Sequence, residues 1–252
     1  MFIDILSFLL MNTIKSLIAF FVVCFFHSTV CAQTFVEMKQ IYPVSINAGQ
    51  RVIEGFQPFN SFNDEQIFAN AMKWSINNFC KEGRKELFDV SVNKKLFSIN
   101  MALDYNENGK TKYEFNCKAN IKVIDSKIVY TIYDVQYKTN SLVPFSNMNH
   151  LDKLNPEKKS KHKEIITIFQ ELASTQLNQL FDAVVSDFCA PITHWNDINI
   201  QRPVKGMIED ECYLAFGKPN NSYEDNNGRI QWSYGLNFVL IFKEGKLETI
   251  IR

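Results

Sequence analysis

From Lys112 to Ile124 the chain alternates without a break. Tyr113, Phe115, Cys117, Ala119, Ile121 and Val123 hold one parity, and Glu114, Asn116, Lys118, Asn120 and Lys122 hold the other. Successive side chains of a strand point to opposite faces, so this period of two predicts a strand with one buried and one wet face. Such a face pair is the mark of an antiparallel sheet. Strand character also marks Leu87–Val92, Lys95–Tyr105 and Ile128–Tyr137, with turns at Asn106–Gly109 and Asp125–Lys127. The Asn-Gly of the first turn is a hairpin signal. Upstream, Val52–Phe56 reads as a strand; Pro43 and Pro58 confine it to an edge or to a loop leading into the sheet.

Two segments switch to helical spacing. Asn63–Cys80 opens with Asn63 as N-cap and Gln66 three residues on, as in a capping box, and carries Ile67, Phe68, Ala71, Met72, Trp74 and Phe79 as a wide apolar face. Glu164–Asp187 places Ile165, Phe169, Leu172, Leu177, Leu180, Phe181 and Val184 three to four apart, and Pro191 lies just beyond its end. The polar connection Asn140–Lys163 closes on the basic run Lys158–Lys163, which reads as a solvated lead into the helix. Strand, helix, four antiparallel strands and helix make an α+β layer with both helices over one face.

After Pro191 the pattern restarts. Met207–Phe216 is a short helix stopped by Gly217 with Pro219 beyond it, Asn220–Gly228 is a polar loop, and Arg229–Tyr234, Leu236–Lys243 and Lys246–Ile251 are three short strands. Trp232 and Tyr234 share parity, so both face one side. Trp232 is expected in the core between its strand and the Met207–Phe216 helix, and Tyr234 with its polar tip partly open. As a cluster, Trp232, Tyr234 and Phe238 also suit a partner-protein anchor, since aromatic residues dominate interface hot spots. The chain divides into residues 1–32, 33–188 and 189–252, and the last two are expected to fold separately.

Residues 1–32 read as a secretory signal peptide. Lys15 precedes an apolar run, Ser16–Phe26, too short to span a bilayer, and Val30 and Ala32 suit cleavage between Ala32 and Gln33. Met1 and Met11 are both candidate starts, and lipid attachment at Cys31 is a further option. Cleavage leaves 220 residues, in which 26 basic and 26 acidic side chains balance. A neutral chain lacks the long-range field that nucleic-acid binding uses. Cys80, Cys117, Cys189 and Cys212 remain; export permits disulfides among them, and buried free thiols are the other reading. No two cysteines stand in C-x-x-C spacing, and His150, His162 and His194 have no Cys or carboxylate at ligand spacing. With no nucleophile elbow and no glycine-rich phosphate loop, the expectation is a protein that is not an enzyme, with no catalytic residues, no metal and no cofactor.

Two resemblances add to this reading. Gly206-Met207, Gly217-Lys218-Pro219, Trp232-Ser233-Tyr234 and Gly245-Lys246 occur in the order found in the small SmpA/OmlA, or BamE-like, domain of bacterial envelope proteins; the segment similar to it is Ile200–Arg252. That family usually has two helices before its sheet, whereas Thr193–Val204 is only weakly helical. Arg51–Phe188, through its element order and Ala71-Met72-Lys73-Trp74, resembles a domain of unknown function with a TATA-binding-protein-like (TBP-like) fold, common in exported proteins of Bacteroides-type bacteria. The resemblances imply a TBP-like antiparallel sheet with two helices, followed by a helix-plus-three-stranded BamE-like module. They imply an exported protein, periplasmic or outer-membrane-associated in a Gram-negative bacterium, that binds an unidentified envelope protein. Association with the membrane after signal cleavage is then peripheral or nil. The alternative is a carrier or sensor of a small apolar ligand held between the first sheet and the long helix.

Overall fold

The computed structural model describes residues 40–83, 86–139, 148–186 and 189–252. The signal peptide, the Ala32–Gln33 cleavage site and Cys31 lie outside the described residues, as do residues 140–147 of the polar connection and residues 187–188 at the end of the long helix. The elements run β1 (Ser45–Asn47), β2 (Gln50–Pro58), α1 (Asp64–Phe79), β3 (Leu87–Ser91), β4 (Leu96–Glu107), β5 (Lys110–Ile124), β6 (Lys127–Lys138), β7 (Asn149–His150), α2 (Ser160–Ser186), α3 (Trp195–Asn199), α4 (Glu209–Phe216), β8 (Asn221–Glu224), β9 (Arg229–Tyr234), β10 (Phe238–Lys243) and β11 (Lys246–Ile251). The mixture is α+β with antiparallel sheets.

The large sheet is ordered β1-β2-β6-β5-β4-β3, with β7 pairing β6 where β2 has ended. β2 pairs β1 over Gln50–Val52 and β6 over Ile53–Pro58, so it is an edge strand for most of its length, which Pro58 at its end tolerates. The alternation of β5 is realised in full: its odd positions from Tyr113 to Val123 are buried and its even ones are not. The register carries the division across the sheet. Ile53, Ile132, Ala119 and Ile99 form one inward row, and Glu54, Thr131, Asn120 and Ser98 the next outward one.

Both long helices cover the inward face. Asn63 caps α1 by accepting from the Gln66 N–H at 2.9 Å while the Gln66 side chain accepts from the Asn63 N–H, the reciprocal capping box. Phe68 of α1 meets Phe97, and Phe169 and Phe181 of α2 meet Phe115 and Tyr130, with ring centroids 5.6–5.9 Å apart. α2 starts at Ser160, four residues earlier than the apolar spacing predicts, because Lys161, His162 and Lys163 ride on its solvated first turn. Three α2 side chains in an i, i+4, i+8 row tie down the segment before β1. Ser174 accepts from the Tyr42 N–H at 2.9 Å, and Gln170 and Asn178 donate to the carbonyls of Tyr42 and Gln40.

The C-terminal part differs from expectation in two ways. Its sheet has four strands, in the order β11-β10-β9-β8, because Asn221–Glu224 of the polar loop pairs with β9. Two helices precede it, since Trp195–Asn199 is helical. The helix-plus-three-strand module is therefore corrected to two helices and four strands. Residues 40–252 form one compact unit across the boundary drawn at residue 189. Buried Asn70 of α1 donates to the Val184 carbonyl at 3.0 Å and accepts from the Cys189 N–H at 3.1 Å. Lys73 pairs with Asp210 at 2.8 Å, and the rings of Phe68 and Trp195 lie 5.6 Å apart. Gly83, at φ +73, donates to the Lys218 carbonyl at 2.6 Å and abuts the Asn220 side chain, where any Cβ would collide.

Candidate functional site

Trp232 sits where its parity predicts. It is 8% exposed and packs between Tyr213 of α4 and Phe242 of β10, at 6.3 and 4.8 Å between ring centroids. Tyr234 is a correction. Its tip is not open: the hydroxyl is buried and donates to the Gly217 carbonyl at 3.0 Å, which satisfies one of the orphan acceptors at the end of α4. Burial holds the Tyr234 phenol far above its usual range. Both residues belong to the fold. Phe238, the third of the aromatic cluster, is only half-buried.

Beside Phe238 the surface turns apolar. Tyr234 and Phe238 pair across the β9–β10 hairpin, which leaves Gly235, Leu236 and Asn237 as its tip. Gly235 takes φ +65, a conformation that costs glycine little. Leu236 is thereby lifted from the strand start predicted for it and is 99% exposed. It borders a dish of about 650 Å³ lined by Gln201, Phe216, Tyr234, Phe238 and Arg252. Phe216 and Phe238 meet edge-on at 5.2 Å, and the Arg252 guanidinium lies 5.9 Å from the Phe238 ring centre. The uncovered face of this sheet continues the character. By register Val239 stands beside Ile251, and Ile241 lies across Gln231 from Tyr223, which is 64% exposed. An exposed leucine, an aromatic dish and an arginine at its rim thus form one continuous, largely apolar patch.

The second notable cluster surrounds Glu211. This carboxylate is 1% exposed, and it accepts from the backbone N–H groups of Thr193, His194 and Ile208 at 2.6–3.0 Å and from the Thr193 hydroxyl at 3.0 Å. His194 Nδ1 lies 2.8 Å from Oε2, the oxygen that also accepts from Ile208; this carboxylate partner is 17 residues away, so no local ligand spacing announces it. Burial alone would raise the Glu211 pKa, but these N–H groups and His194 hold it below the usual carboxylate range. The arrangement fastens residues 193–194 to the start of α4. It consumes the lone pairs of Glu211, which is itself shut off from solvent.

Of the other expected positions, His162 Nδ1 meets the Asn155 backbone and His150 lies in β7. Cys117 and Cys212 are buried free thiols, so a disulfide through either gives way to the thiol reading. Burial pushes Cys212 up to about 12 and Cys117 higher still, which leaves neither as a thiolate at neutral pH. The Cys80 sulfur, half-buried, accepts from the Glu86 N–H at 3.3 Å, and Cys189 is buried against Asn70. Among the described residues no three His, Cys, Asp or Glu side chains are grouped to hold a metal, and no helix is long and apolar enough to cross a membrane. Between the large sheet and its helices, the space bounded by Trp74, Met101, Ile121, Leu177 and Leu180 has a volume of about 10 Å³.

No protein-family model and no curated protein matches the chain. Among solved structures it is similar to a TBP-like protein from Parabacteroides distasonis, with a TM-score of 0.47 and 11% identity over 57% of this chain and 97% of that one. It is also similar to a DUF4468 family protein from Bacteroides ovatus, with a TM-score of 0.43 and 10% identity over 60% of this chain and 93% of that one. Both likenesses concern folding alone.

Proposed function

We propose that this chain is a non-catalytic, exported protein of the cell envelope that binds a partner protein through its C-terminal sheet, in the manner of a BamE-like accessory module. The observation that carries the reading is Leu236, fully exposed on a fixed hairpin tip beside the Phe216–Phe238 dish. Water contact with a large apolar side chain is unfavourable by about 25 cal/mol per Å² of apolar surface, and a docked partner removes it. Arg252 at the rim gives a partner carboxylate a place to pair. The BamE-like resemblance and the signal-like N-terminus support an envelope location, and a neutral net charge gives no support to nucleic acid. The carrier reading finds no support in an interior space of about 10 Å³, far below the several hundred a ligand pocket needs.

Leu236→Asp tests the proposal. The wild-type chain, expressed in its own host and isolated after reversible crosslinking, is expected to retain a defined envelope protein that the variant loses, with an unchanged melt. Retention of the same protein by the variant would contradict the proposal.

A further inference from the structure

Away from the exposed Phe56–Val129 pair, the outward face of the large sheet is polar and hollowed. β6 bulges against β5: Lys118 opposes Tyr133 and Asn116 opposes Gln136, so two residues of β6 face the single Cys117. Bulges re-aim side chains and recur beside binding sites. Here the bulge sets Asp134 at φ +52 and turns it onto Lys118, 2.8 Å away. A cleft of about 540 Å³ opens around that pair, lined by Asn100, Asn116 and Gln136 and by Phe79, Lys81 and Glu86. A second depression, of about 370 Å³, follows along the same strands, with Asn120, Thr131 and Tyr133 at its floor and the β1–β2 turn at its wall. Tyr133 neighbours Asp134 and joins the two. Ser98 donates to Asn120 Oδ1 at 2.6 Å and fixes that amide, while the Asn100 side chain has no partner among the described residues.

Three properties narrow the occupant. The charges lining the cleft balance: Lys81 and Glu86 contribute one of each sign, and Lys118 and Asp134 cancel, each holding the other charged, with Asp134 below its usual carboxylate range and Lys118 above its own through their shared hydrogen bond. Its uncharged polar groups are mostly amides, which offer a donor and an acceptor side by side and so match neighbouring hydroxyls. Half-buried rings, Phe79 and Tyr133, give apolar planes for the C–H face of a pyranose. Asn116 to Asn120 spans about 13 Å of strand, room for a short oligosaccharide. We propose that this groove is a binding site for a neutral oligosaccharide, separate from the Leu236 surface.

The test is a glycan array of neutral, N-acetylated and acidic oligosaccharides probed with the full chain, followed by calorimetry on the best-bound sugar. The expected result is binding to a neutral or N-acetylated oligosaccharide, weakened at least tenfold by Tyr133→Ala and by Asn100→Ala and unchanged by Leu236→Asp. Asn100 is exposed and its replacement leaves the fold intact, as a melt will record. The site is overturned by a silent array, by binding confined to acidic glycans, or by affinity that survives both groove variants. A library of extended peptides serves as the competing arm, and peptide binding lost in Tyr133→Ala without glycan binding would equally overturn it.

Discussion

The two sheets solve the same problem differently. Each buries one face against helices and leaves the other uncovered. On the large sheet the uncovered rows run Phe56, Val129 and Lys122, then Glu54, Thr131 and Asn120, then Tyr133, Lys118 and Asn100, polar but for the exposed Phe56–Val129 pair at one end. On the small sheet they are Ile251, Val239 and Ser233, then Thr249, Ile241, Gln231 and Tyr223, with Leu236 standing off the hairpin end. The long sheet keeps a mostly hydrophilic outside while its inside carries a thick core of aromatic and branched side chains. The small sheet has short strands and a thin core, yet it spends apolar residues on its surface. We read this apolar outside, with Leu236 at its edge, as the surface that the proposed partner covers.

The comparison is tested most severely at Trp232. If the small sheet has a true core of its own, Trp232→Ala removes the side chain between Tyr213 and Phe242 and costs about 3–5 kcal/mol, read as a large fall in the thermal melt. An unchanged melt would move Trp232 to the binding surface and collapse the distinction between core and docking residues.

The next largest effect lies at the junction. Glu211→Gln leaves buried N–H groups competing for one acceptor oxygen and is expected to cost roughly 2–3 kcal/mol. The sign of the pH dependence follows. The folded pKa of Glu211 is depressed, so its contribution is fully present above the unfolded carboxylate pKa and disappears as pH falls through the lower folded value. Wild type minus Glu211→Gln stability should therefore shrink on acidification below about pH 4. A difference constant with pH would contradict a charged clamp.

Asn70→Ala should cost about 2 kcal/mol, since it strips partners from the Val184 carbonyl and the Cys189 N–H in one stroke. It also sharpens the relation between the parts. If Asn70 bolts the C-terminal segment to α1, limited proteolysis of the variant will cut residues 189–204 sooner than in wild type. Equal rates would show the junction held by other contacts. Leu236→Asp has the smallest effect on the fold, within about 0.5 kcal/mol, as expected of an exposed tip.

What could be read in advance follows the same division. The long strands β4, β5 and β6 were legible to within two residues because each runs over ten or more positions, whereas β1 and β7, three and two residues long, left no pattern to read; α1 declared itself through Asn63 and Gln66. β8 was invisible because all four of its residues are exposed, so pairing, without burial, holds it in the sheet. α3 has five residues and no side-chain cap, too short for a period to appear. The Glu211–His194 contact joins residues 17 apart by packing, which no local pattern encodes. A partial signal existed, since Glu211 stands three residues after Ile208, the position from which a glutamate reaches back to the first N–H of a helix. Leu236 read as a strand residue because it extends the apolar run of β10; Gly235 ended the strand instead.

The most direct measurement places a photo-crosslinking residue at position 236 and, in a second protein, at position 131 on the outward face of the large sheet, in the full chain in its own host. The account predicts a discrete protein adduct from position 236, lost when Phe238→Ser is added, and no protein adduct from position 131. Adducts from position 131 alone, or the same adduct from both, would contradict the assignment of partner binding to the small sheet.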